Sequence, residues 1–262
     1  MVPGIPERGN HVAFKLSNLE LRRAISLPFR GNERWIRLLQ GGFLFSLMLL
    51  PLLAQGTQLW LYIPLALGAL VVSTGYALRV MEQEVNAKPD ALPRELPSMN
   101  NWGELFTSGL KALGLVSIYL GGFAALVFLI RLLTGLPLFE LNHFEKSGEA
   151  TQLITVMFMI VGSVLLVAYL PAMLVGFSKE KTFRSGFHGW TYLKVGFGSD
   201  RDSFYAMLWP WLLVHLDLLL IVTIVLFPPA LFVTQVFWAN LVAQAYRRAT
   251  APKQQPEKKE EK

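Results

Sequence analysis

Cysteine is absent from the 262 residues. That excludes disulfides, thiolate metal sites and a cysteine nucleophile, and leaves the redox compartment open. Charge is scarce: 16% of residues are Asp, Glu, Lys or Arg, against about 25% in an average soluble domain. No leader peptide is expected, because Met1 to Arg34 is polar and charged with no apolar core ahead of a small-residue cleavage site. No nucleophile elbow, zinc-protease motif or carboxylate cluster occurs. "GFGSD" (Gly196–Asp200) has glycines but lacks the lysine and spacing of a phosphate loop, and reads as a linker. The expectation is therefore a chain that is not an enzyme and carries no cofactor.

What is abundant is apolar length: 53% of residues are hydrophobic and the mean hydropathy is +0.43. A membrane span needs about 20 apolar residues. No charge lies between Arg37 and Arg79, and "AQGTQ" (Ala54–Gln58) divides that run in two. Nineteen uncharged residues separate Lys111 from Arg131, and 29 separate Glu149 from Lys179. Between Asp202 and Arg247 only Asp217 is charged, and Pro228-Pro229 divides the stretch. Six spans are expected, at about 36–53, 59–81, 108–131, 151–177, 204–226 and 229–246.

The net charge of +6 is a topology signal rather than a nucleic-acid footprint, because the basic residues flank the apolar runs. Of 24 Lys and Arg, 22 fall in the N-terminal segment, the 79–111 and 179–201 linkers and the C-terminal tail. Only Arg131 and Lys146 fall on the other side. The positive-inside rule then places both termini in the cytoplasm. The expected location is a bacterial cytoplasmic membrane, with an internal photosynthetic membrane left open.

Each pair of spans is preceded by an amphipathic stretch. In the first, Ser17 and Glu20 fit a capping box and Leu21, Ile25 and Phe29 share a face. In the second, Asn101 can cap with Glu104, and Trp102, Phe106, Leu110 and Leu113 line one face. In the third, Phe183, Phe187, Trp190 and Leu193 form a stripe among Lys181, Arg184 and Lys194. Aromatic anchors among basic residues suit a helix lying in the headgroup layer. The expected fold is an all-α integral membrane protein, six transmembrane helices in three hairpins, each preceded by an interfacial helix (about 18–29, 101–110 and 182–193). Residues 1–14 are expected to form an N-terminal polar segment, 15–248 the membrane domain, and 249–262 a charged, disordered tail.

Several stretches carry a family resemblance. "GYALRV" and "ELPSMNNWGELFTSGLKALGLVSIYL" resemble the uncharacterised bacterial and archaeal membrane-protein family defined by domain of unknown function 4013. The resemblance rests on Gly75, Tyr76, Arg79, Leu96, Pro97, Trp102, Gly103, Gly109 and Tyr119. "AISLPFRGNERWIRLLQGG" (Ala24–Gly42) and "LVAQAYR" (Leu241–Arg247) also look similar, so it covers roughly residues 15–248. It implies a polytopic membrane fold and no activity. "TYLKVGFGSDRDSFY" departs from the family, which there tends to an arginine-rich helix ending in Asn-Pro-Gly.

The fifth span, "PWLLVHLDLLLIV" (Pro210–Val222), holds His215 and Asp217. Ionisable groups at bilayer depth face a bundle interior or a cavity. Two apart on a helix, these two point about 200° from each other and cannot jointly hold one ion. Counting equally from a turn between Pro228 and Pro229 brings Asp217 opposite Asn240, a cross-hairpin clamp worth about 0.6–2 kcal/mol. A polar cavity, a proton route or a subunit contact are the alternatives for Asp217. His215 faces another helix, a partner protein or a porphyrin-type pigment, for which no second ligand is visible. Glu140 and His143 could share a metal on a helix, but acid and histidine are common in short loops, and no metal site is expected. Small residues at Gly121-Gly122, Ala69–Ser73 and Gly162-Ser163 suit close helix packing.

Two functions lead, with an intramembrane enzyme third because no catalytic pair at matching depth is visible. One is a non-enzymatic accessory, scaffold or assembly component whose Trp102, Phe106, Phe183, Phe187 and Trp190 face lipid or partner membrane proteins. The other is a small-solute or proton-coupled transporter or channel using Asp217.

Overall fold

The computed structural model describes residues 21–53, 59–87, 95–134, 157, 162, 169–188, 217 and 227–250. Among them the regular structure is entirely helical. A short helix α1 (Leu21–Ser26) runs into a 3₁₀ turn at Leu27–Phe29, where Pro28 takes an early position that asks for no N–H donor. The chain then turns through Gly31, whose φ of +89° suits a residue without a Cβ. The long helices α2 (Arg34–Leu53), α3 (Leu59–Val85) and α4 (Trp102–Thr134) follow. Helix α5 comprises residues 169–180 and leads to a second 3₁₀ turn, Phe183–Phe187. Helix α6 is Phe227–Thr250.

Three stretches are long and apolar enough to cross a membrane among the described residues: Arg34–Leu52, Leu59–Val85 and Trp102–Leu129. They overlap the first three expected spans, the third beginning six residues earlier than expected. Helix α6 is long enough at 24 residues but is not one of the three, because Gln235, Asn240 and Gln244 interrupt its apolar character. Those amides face protein: Asn240 and Gln244 are buried, and Gln235 donates to the Ser73 carbonyl at 3.2 Å. A polar helix can lie at membrane depth when its neighbours, rather than lipid, meet its polar groups. The fourth and fifth expected spans lie largely outside the described residues, as do the capping pair Ser17 and Glu20 and the C-terminal tail.

Helix α3 is the centre of the bundle, packed on α2, α4 and α6, while α2 also packs on α6. Small residues set these crossings. A Cβ on Gly75 would overlap the Leu105 carbonyl, and one on Gly109 would overlap the Val71 carbonyl. The α3 and α4 backbones therefore touch. Gly41 receives the Phe232 ring and Gly42 meets Pro229, which seats α6 on α2. Tyr76 and Phe232 then pack with ring centroids 5.6 Å apart. The expected small patch at Ala69–Ser73 is in this interface, with Ala69, Val71, Val72 and Ser73 buried. Gly162 also packs closely, against the Phe123 ring. Gly121 and Gly122 do not: nothing lies within 4 Å of where their Cβ atoms would be. A glycine pair permits an approach but cannot draw a helix there.

The second amphipathic stretch is not a separate interfacial helix. Residues 102–110 are the first turns of α4, which runs 33 residues, about 50 Å. Its packed side is Leu105, Gly109, Ala112 and Leu115, one position round from the expected stripe. Trp102, Phe106 and Leu110 stay exposed, because the backbone contact at Gly109 leaves no room for aromatic rings between α3 and α4. In the third stretch residues 183–187 form a 3₁₀ turn rather than a long α-helix, capped by the Thr182 side chain accepting from the Ser185 N–H.

Candidate functional site

Asp217 is helical and buried, as an intramembrane carboxyl requires. Its partner is not Asn240. Its Oδ2 accepts a 2.6 Å hydrogen bond from Thr234 Oγ1. The expected register assumed a turn between Pro228 and Pro229. Instead α6 begins at Phe227 and takes both prolines into its first turn, where helices have no use for the missing donors. Thr234 is six residues nearer the start of α6 than Asn240, so the cross-helix bond forms about two turns earlier. Thr234→Val, which keeps the shape and removes the donor, should cost about 1 kcal/mol, read as a lowered thermal midpoint in detergent. An unchanged midpoint would show that Asp217 does not rely on this bond.

Asn240 belongs to a different assembly, centred on Glu84, which the sequence reading overlooked. Glu84 is the third residue beyond the expected end of the second span, and its side chain is 0% exposed. Its Oε2 accepts from Asn240 Nδ2 at 3.0 Å and pairs with the Arg23 guanidinium. Its Oε1 lies 2.9 Å from Arg247 Nη1, which also donates to the Glu84 carbonyl at 3.1 Å. Gln244 donates to Asn240 Oδ1 at 2.7 Å, holding the amide so that its NH₂ faces Glu84. One carboxylate thus ties α1, α3 and α6. The available signal was an acid at i+5 from Arg79, just past an uncharged run, with Glu82 two residues before it; that pattern by itself does not reveal its partners.

Several of the resemblance residues meet at the same end of the bundle. Tyr76 Oη donates to the Pro97 carbonyl at 3.1 Å. Arg79 donates to the Ser98 carbonyl at 3.1 Å and to Glu104 Oε2 at 2.7 Å. Arg37, almost wholly buried, donates to the Leu96 carbonyl. Three carbonyls of the linker between α3 and α4 thus accept from side chains of α2 and α3, and the buried Leu96 needs such a partner. Tyr119 Oη donates to the Gly186 carbonyl at 2.8 Å and lies 2.8 Å from Tyr169 Oη. Phe187 stacks on Tyr119 at 5.7 Å, and Phe183 meets Phe177 edge-on at 6.5 Å. These bonds give the motif residues structural tasks.

A model for proteins of unknown function, DUF4013, matches residues 58–233. The chain belongs to this family. The DUF4013 match opens at the start of α3 and ends one residue before Thr234, so it holds Gly75, Tyr76, Arg79, Glu84, Gly109 and Tyr119. Arg23, Asn240 and Arg247 lie beyond it, and the DUF4013 region alone does not complete the Glu84 assembly. No curated protein and no solved structure matches the chain.

Of the expected partner-facing aromatics, Trp102, Phe106, Phe183 and Phe187 are exposed. Trp190 and His215 lie outside the described residues, as do Glu140 and His143. Between α3, α4 and the end of α5 a cleft of about 150 Å³ opens, lined by Arg79, Glu82, Glu104, Ser108, Lys111 and Lys181 among others.

Proposed function

We propose that this DUF4013 member is a non-enzymatic integral membrane protein serving as an accessory or scaffold component of a membrane complex. In this reading it has six spans in three hairpins with both termini cytoplasmic, in a bacterial inner membrane. The observation that carries the reading is how buried and half-buried polar side chains among the described residues engage one another: Asp217 with Thr234, Gln235 with Ser73, and Glu84 with Arg23, Asn240 and Arg247. Groups committed to cohesion are not free to exchange a substrate. Meanwhile Leu126, Phe128, Leu129 and Leu132 along the far half of α4 are exposed, an apolar face that lipid or a partner helix must cover.

Crosslinking in native membranes followed by mass spectrometry tests this. The expected result is a recurrent partner crosslinked at stoichiometric yield through the α4 face. A lone monomer, both in crosslinked membranes and in gentle detergent, would count against it. A reporter fused to the C-terminus should be active only on the cytoplasmic side.

A carboxyl inside an uncharged run favours the second reading, a proton-coupled carrier or channel. Asp217→Asn decides between them. The scaffold reading expects unchanged proton or solute flux in membrane vesicles. Abolished flux would establish the carrier.

A further inference from the structure

We propose that the cleft between α3, α4 and α5 is a binding site for a phosphate group at the membrane boundary, borne by an anionic lipid headgroup or free in solution. The inference rests on the chain being a membrane protein and not on the scaffold role. Three cations line the cleft: Arg79, Lys111 and Lys181. Two acids share it, and both are already neutralised. Glu104 is 2.7 Å from Arg79, and Glu82 is 2.8 Å from Lys181. Lys181 also stands 4.0 Å from Glu104. Lys111 is exposed and makes no ion pair among the described residues, so the lining carries one uncompensated positive charge.

The level of these cations supplies the second argument. Arg79 is the first charge after the long uncharged run that began beyond Arg37. Lys111 is the last charge before 19 uncharged residues, which span about 28 Å as helix. That is close to the hydrocarbon thickness of about 30 Å. Lys181 lies two residues beyond Lys179, the charge that closes the uncharged run from Glu149. Three apolar runs therefore end near one height, and the fold gathers a cation from the end of each around one cavity. Lys181 is held there by its backbone, which has φ of +55° and donates to the Phe177 carbonyl at 2.8 Å, closing α5. At that height the available anions are lipid phosphates, and a cleft of about 150 Å³ admits a headgroup while the acyl chains lie along the exposed side of α4. Basic pockets between transmembrane helices hold anionic headgroups in this way.

Native mass spectrometry of the full chain in neutral detergent, with phosphatidylglycerol, phosphatidylcholine or inorganic phosphate added, tests the site. One phosphatidylglycerol should be retained in preference to phosphatidylcholine. Lys111→Ala should weaken that retention about fivefold, the effect of one cation near a headgroup. Lys111→Arg should restore it, and Arg34→Ala, an exposed cation outside the cleft, should leave it unchanged. Competition by millimolar inorganic phosphate would support the site and assign it to free phosphate, whereas no competition assigns it to lipid. Equal retention of both lipids, or an unaltered Lys111→Ala whose thermal midpoint matches the parent, overturns the proposal. Lys111→Gln provides the same reading should the alanine variant fold poorly.

Discussion

Glu84→Ala should lower the stability of the folded protein by about 3 kcal/mol, one of the two largest effects expected of any single substitution here. Removing one partner of a buried ion pair costs about 3–5 kcal/mol, because the remaining charge is left without compensation. The lower end applies because the Arg23 and Arg247 side chains retain 12% and 24% exposure and can reach water. A native state is worth only about 5–15 kcal/mol, so the loss is a large share. The measurement is thermal unfolding in detergent followed by tryptophan fluorescence. Glu84→Gln should fall between, keeping an acceptor for Asn240 while losing the charge that both guanidiniums need. Because Arg23 is on α1, the alanine variant should also expose Arg23 and Arg30 to trypsin faster than the parent. A midpoint and cleavage rate equal to the parent's would mean that α1 is held by its apolar contacts, Ala24 and Leu27, rather than by Glu84.

Gly75→Val and Gly109→Val should each cost about 3 kcal/mol or more. Overpacking commonly costs about 1–3 kcal/mol when side chains can adjust. Here the obstacle is the Leu105 or Val71 carbonyl, and backbone cannot rotate out of the way. The α3–α4 pair would have to separate, disturbing the Tyr76–Pro97 and Arg79–Ser98 bonds that cross beside it. Gly121→Val is the control. It lies on the same helix with open space around it, and replacing glycine there should be neutral or slightly stabilising through helix propensity. If all three variants unfold alike, close packing is not the cause.

The two substitutions mark the difference between what could be read linearly and what could not. Gly109 and Gly121 are both glycines in one apolar helix, and only one is at a crossing. The aromatic stripe of Trp102, Phe106 and Leu110 has correct helical spacing, yet the buried side is Leu105, Gly109 and Ala112. Periodicity identifies which residues share a face, not which face meets another helix. In a membrane this ambiguity deepens, because lipid accepts an apolar face as readily as protein does. Asp217 shows the same limit: burial followed from an isolated acid in an apolar run, but the choice of Thr234 over Asn240 depended on where α6 begins.

The sequence by itself determined the helical, membrane-class composition, the bounds of α2 and α3 to within a few residues, and the family. These follow from runs of uncharged residues and from local motifs, and the cost of exposing backbone or charge to hydrocarbon enforces them residue by residue. Only the tertiary structure decided that Glu84 joins Arg23, Asn240 and Arg247. Those residues are 61, 156 and 163 positions from it. A buried charge is satisfied by whichever groups the packing brings within about 3 Å, and no local pattern encodes so distant a meeting.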